Sequence, residues 1–93
     1  MSTVLDLGHG HRFTFAVDGT EKRVGGIHEH PRKDGPDADG ETECGGAITF
    51  RGCGDGPQWD VISEEPLTLS PSLLCRRCGS HGWIRNGVWE EAQ

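Results

Sequence analysis

Cys75-Arg76-Arg77-Cys78-Gly79 most limits what this chain can fold into. A Cys-x-x-Cys-Gly turn bends backbone amides toward two thiolates, and the glycine supplies the positive φ that the bend needs. A thioredoxin-type redox pair would need the two cysteines at a helix N-terminus. Here a β-hairpin pattern follows, so the motif reads as a metal knuckle. A zinc ion needs two further ligands. His81 lies three residues beyond Cys78, and Cys44 and Cys53 each stand directly before a glycine. Five residues therefore compete for four places. One set is Cys75, Cys78 and His81 closed by Cys44. The other is all four cysteines, with His81 beside them. Either set fills the coordination sphere, so the zinc is structural rather than catalytic.

Composition explains why such a clamp is needed. Only 32% of the 93 residues are apolar, and 15 are glycine, more than double the usual share of about 7%. Such a chain loses much backbone entropy on folding and gains a modest core. The net charge of −6 disfavours a nucleic-acid-coating protein, because phosphate binding needs a basic surface. No apolar run approaches the roughly 20 residues of a membrane span. Met1-Ser2-Thr3-Val4 does not begin a basic region followed by an apolar stretch, so no secretory signal is read. The expectation is a reducing cytosol, where cysteines hold metals rather than disulfides.

The pattern along the chain is one of short strands. Residues 3–7 and the alternating run 12–17 read as strands. Asp18-Gly19 turns the chain, Thr20 to Val24 returns, Gly25-Gly26 interrupts, and Ile27 to His30 extends past a bulge. Residues 31–43 hold no large apolar side chain and form a solvated acidic loop. Ala47 to Arg51 and Gln58 to Ile62 read as strands. Ser70-Pro71 has N-cap and N1 character, which predicts one helical or 3₁₀ turn over Ser70–Leu74. Residues 82–90 form a hairpin about Asn86-Gly87, pairing Arg85 with Val88 and Ile84 with Trp89. The fold class is thus a small all-β, zinc-ribbon-like domain of short antiparallel strands held by one structural zinc. It is a single domain, 1–93, divided into an N-terminal hairpin (1–30), an acidic loop (31–43) and a zinc-knuckle region (44–93).

His9, His11, His28 and His30 fall in two i, i+2 pairs, each on one strand face. They read as solvent-exposed side chains near loops, with a second metal site, or His28 as a stand-in zinc ligand, left open. No nucleophile elbow, P-loop or Ser/His/Asp order is present. In the terminal hairpin one Trp packs inward and the other stays partly outside. Trp83 beside Arg85 is the expected partner surface, since both residue types are enriched at binding hot spots.

Trp59, Leu69-Ser70-Pro71-Ser72, Cys78-x-x-His81 and Ile84-Arg85-Asn86-Gly87 occur in the order seen in a family of small proteins of unknown function. The chain resembles that family over about residues 44–90. Its members occur in tailed phages of actinobacterial hosts, and relatives sit beside bacterial ubiquitin-like conjugation genes. Cys53-Gly54 or Cys44-Gly45 matches the family's Cys-Gly cluster, whereas Cys75 is an addition to its pattern. The resemblance implies a zinc-ribbon-like β fold without an assigned activity. The expectation that follows is a non-enzymatic zinc protein acting through protein–protein contacts. It would be a minor virion component, found in the virion or host cytoplasm, with virion proteins as partners and neither nucleic acid nor membrane. The alternatives are a host-directed adaptor and a metal-dependent enzyme using the spare histidines.

Overall fold

The alternating run around Phe13 and Phe15 forms a strand, and the largest sheet grows from it. The computed structural model describes residues 4–92, and Thr3, where the first strand was expected to begin, lies outside them. Strands β1 (Val4–Gly8), β2 (His11–Val17), β3 (Arg23–Pro31) and β4 (Glu43–Thr49) make an antiparallel sheet in that order. Asp18 fixes the β2–β3 turn, its Oδ1 accepting from the Thr20 and Lys22 amides and the Thr20 hydroxyl. β5 (Asp60–Glu64) and β6 (Leu67–Ser70) form a hairpin. β7 (Leu73–Leu74), β8 (His81–Arg85) and β9 (Val88–Glu91) form a three-stranded sheet. The fold is small and all-β, with antiparallel sheets and no helix among the described residues.

Asn86 and Gly87 both have positive φ, as the two-residue turn requires, and the hairpin register pairs Arg85 with Val88 and Ile84 with Trp89 as expected. Two expectations need correction. Gly25-Gly26 does not interrupt its strand, because β3 runs through it; the register skips Val24, which lies between Gly25, opposite Ala16, and Arg23, opposite Val17. The pair is buried, and a Cβ on Gly26 would strike the Phe13 ring and the Thr14 carbonyl. Glycine is there for close packing, and the expected bulge lies beside the pair, at Val24. The helical turn expected over Ser70–Leu74 is absent as well. The segment is extended, Leu73 pairs with Gly82, and the Ser72 carbonyl accepts from the Trp59 indole at 3.2 Å. Those tertiary bonds replace the ones a helical turn would make with itself.

The core lies between the sheets. Phe13, Leu7, Ile48 and Phe50 from the first sheet meet Leu67 and Leu69 of β6 and Leu73, Ile84 and Trp89 of the last. Trp89 stacks on the rings of His11 and His28 at 4.2 and 5.0 Å between centroids. The histidines are therefore not the exposed set expected. His11, His28 and His30 are buried, and of the four only His9 is exposed. Among the described residues no helix is long and apolar enough to cross a membrane.

Candidate active site and metal centre

The β3–β4 register sets His30 directly opposite Cys44, so the two side chains share one face. The turn between β7 and β8 brings Cys75 and Cys78 onto that face. One ligand atom from each of the four residues lies within 4.8 Å of every other, and the Cys44 and Cys75 sulfurs are 3.4 Å apart. A tetrahedral site with metal–sulfur bonds of about 2.3 Å needs sulfurs about 3.8 Å apart, so the cluster is close to metal-binding size. The knuckle is shaped by its own backbone. Gly79 N–H donates to the Cys75 carbonyl with Gly79 at φ +84°, and Cys75 N–H donates to the Ser80 carbonyl.

The imidazole of His30 is prepared for the ligand role. Its Nδ1 lies 3.0 Å from the Pro31 carbonyl, which can only accept, so Nδ1 carries the proton and Nε2 presents a lone pair. Burial, and then the neighbouring Cys75, push the Cys44 thiol up. Burial opposes ionisation of Cys75 too, but the amides of Cys78 and Arg77 and the Cys44 thiol bring it down to about 7. The group thus starts with one thiol ready to ionise, and a cation would draw off the remaining protons. The donor set could hold a metal ion.

Three of the five expected ligands, Cys44, Cys75 and Cys78, are in this cluster. Cys53 is outside it, packed against the core edge with its sulfur 3.8 Å from the Arg51 carbonyl. His81 is also outside it, and the fourth place goes to His30, which neither expected set contained. His11 and His28 form a second buried pair, Nδ1 to Nε2 at 3.0 Å. Burial and then the charge of His30 lower His28 to about 3, and burial and then His30 lower His11 to about 4, so both rings are neutral at ordinary pH.

His81 is engaged elsewhere, with its Nε2 2.9 Å from Ser72 Oγ. The register explains the contact. His81 opposes Leu74, and Ser72 lies two residues before Leu74, hence on the same face and diagonal to the imidazole. Both residues are half-buried. Trp83 follows on the same face of β8, with its ring 6.0 Å from that of His81, and Arg85 stacks over the Trp83 ring at 4.5 Å. A hydroxyl within hydrogen-bond reach of an imidazole is the minimum apparatus for nucleophilic acyl transfer. Among the described residues this is the one hydrogen bond between a serine hydroxyl and a histidine ring.

Ser72 escaped sequence reading because serine is common and the strand pairing that aims it had to be known first. Its signal was the Leu-Ser-Pro-Ser segment, which served there as a cap and as a mark of the family resemblance, with no chemical role given to Ser72. His30 was visible only as one of four histidines with no distinguishing spacing.

A family model described as "Bacterial ubiquitination-like system serine protease (BubE)" matches residues 41–92. No curated protein and no solved structure matches the chain. The family match overturns the expectation of a non-enzymatic virion component, and with it the adaptor reading, because the family is named for an enzyme. The resemblance to proteins beside bacterial ubiquitin-like conjugation genes agrees with that description.

Proposed function

The chain belongs to the BubE family of bacterial ubiquitination-like system serine proteases, and on that premise we propose that it is a Ser–His hydrolase acting on a protein substrate of such a system. The observation that carries this reading is the 2.9 Å contact between Ser72 Oγ and His81 Nε2, inside the matched segment. Ser72 is the nucleophile and His81 the general base. His81 Nε2 takes the hydroxyl proton as Oγ attacks the substrate carbonyl, and the imidazolium returns it to the leaving amine. Water then attacks the acyl-serine ester, giving a proton to His81; the C–Oγ bond breaks, the carboxylic acid leaves, and the imidazolium returns the proton to Ser72 Oγ. This assignment requires the proton of neutral His81 to sit on Nδ1. Among the described residues no carboxylate bonds Nδ1, so the ring is held by packing beside Trp83 and not by a third member.

The Cys3His cluster fits zinc, since three thiolates and an imidazole at tetrahedral spacing suit that ion. Four protein ligands leave no open position, so the zinc is structural and the reaction does not pass through it. Trp83 and Arg85 continue the face on which His81 stands, and we assign the contact with the protein partner to them.

A fluorophosphonate probe tests the reading, because it phosphonylates serines activated by a base, with loss of fluoride. Peptide mapping after labelling should place the adduct on Ser72. Ser72→Ala and His81→Ala should abolish labelling while the fold is kept. Adduct on another serine, or labelling that survives His81→Ala, would refute the assignment.

A further inference from the structure

β4 is the last strand of its sheet, and its outer edge is open. Among the described residues, the backbone of 44–48 bonds to no backbone outside β3. Cover begins only at Thr49, whose carbonyl accepts from the Trp59 amide. Gly45 and Gly46 occupy the middle of that edge, and space beside Gly46 is empty out to 4 Å from where a Cβ would be. Across a cleft of about 200 Å³ stand Leu73 and Leu74 of β7, the outer strand of the other sheet. An unpaired edge with two glycines at its centre is a template for one more strand. The cleft is too small for a helix, which is about 10 Å across.

Charge narrows the choice further. Arg76 and Arg77 line the same cleft, and neither is ion-paired among the described residues, although the chain carries a net charge of −6. Neither Ser72 nor His81 lines the cleft, but both adjoin residues that do. Ser72 immediately precedes Leu73, and the indole holding the Ser72 carbonyl belongs to Trp59, which lines the cleft.

We propose that an extended segment of the protein substrate, carrying acidic side chains, adds to the outer edge of β4 in this cleft, with Arg76 and Arg77 gripping its carboxylates. Main-chain bonds to β4 supply affinity, and the arginine pair supplies register and selectivity. The proposal deepens the hydrolase reading, on which it rests for the identity of the bound segment as substrate.

Binding can be tested apart from turnover with zinc-loaded Ser72→Ala. The probe is a fluorescein-labelled ten-residue peptide of alternating Thr and Val with two central Glu residues, followed by fluorescence polarisation. Saturable binding is expected, weakened at least about tenfold by 0.5 M salt, by Glu→Lys in the peptide, or by N-methylation of alternate peptide amides. Arg76→Glu with Arg77→Glu should lose the Glu peptide and gain the Lys peptide, with zinc content unchanged. That exchange of preference cannot come from misfolding. Absence of binding, indifference to N-methylation, or a charge-reversed variant that keeps its preference would each overturn the proposal. None of these outcomes bears on whether fluorophosphonate labels Ser72, so the two readings fail separately.

Discussion

His30 and His81 are both strand histidines placed by antiparallel pairing, yet they are built for different work. His30 is 1% exposed, its Nδ1 is tied to a backbone carbonyl, and a ring nitrogen lies within 4.8 Å of three sulfurs. His81 is half-buried, meets a single hydroxyl, and leans on an aromatic ring. The first environment suits a closed site joining two sheets, and the second a group that must reach a substrate. The contrast extends to the chain that links them. Ser72 lies three residues before Cys75, and His81 three residues after Cys78. The knuckle is therefore the tip of the loop whose two ends carry Ser72 and His81, and its closeness to His30 and Cys44 ties that loop to the first sheet.

Four perturbations break or sharpen this comparison. The largest effect is expected at the clamp. Cys44→Ser and Cys78→Ser should each release one zinc per chain and unfold the domain. Structural zinc contributes about 10–16 kcal/mol in small domains, which equals or exceeds a typical net stability of about 5–15 kcal/mol. Zinc titration with circular dichroism reads both losses, and a Cys44→Ser variant that keeps metal and fold would dissolve the cluster as described.

Ser72→Ala should act in the opposite sense. Hydrolysis should fall by about 10⁴-fold or more, while the thermal midpoint shifts by no more than about 2 °C. A large loss of stability would make Ser72 structural and erase the distinction between the two sites. Gly82→Ala tests the scaffold between them. Gly82 separates His81 from Trp83, and a Cβ there would strike the Trp89 indole and the Glu90 carbonyl. A cost of about 1–3 kcal/mol is expected by calorimetry, together with weaker probe labelling of Ser72 as β8 shifts. Unchanged stability would show that the β8–β9 packing is looser than the structure has it. The smallest effect belongs to Cys53→Ser, which should keep its zinc and cost under about 1 kcal/mol in denaturant unfolding. Loss of metal there would return Cys53 to the ligand set.

Much of the local structure was legible. Asn86-Gly87 set its own hairpin register because only one two-residue turn type suits that dipeptide. The Phe13–Phe15 alternation marked its strand, and Cys75-x-x-Cys78-Gly79 marked the knuckle. Reading failed where the deciding partner lay far along the chain. Ser70-Pro71 resembles a helix start, but Ser70 pairs with Asp60 of β5, the Ser72 carbonyl accepts from the Trp59 indole, and Leu73 and Leu74 pair with β8. Gly25-Gly26 resembles a break, and only the presence of Phe13 above it explains why glycine is required.

The same division runs through the functional residues. By itself the sequence pointed a glycine-rich, weakly apolar chain toward a metal clamp, and placed Cys75 and Cys78 in half of the cluster that could hold one. Those conclusions rest on composition and on spacings of three residues, which act locally. Tertiary structure alone chose the other half. His30 joined the cluster, and His81 did not, because β3–β4 pairing carries His30 to Cys44 while β7–β8 pairing turns His81 toward Ser72. Strand register assigns each side chain to a face, and a register between distant strands is set by the whole core and not by any one segment.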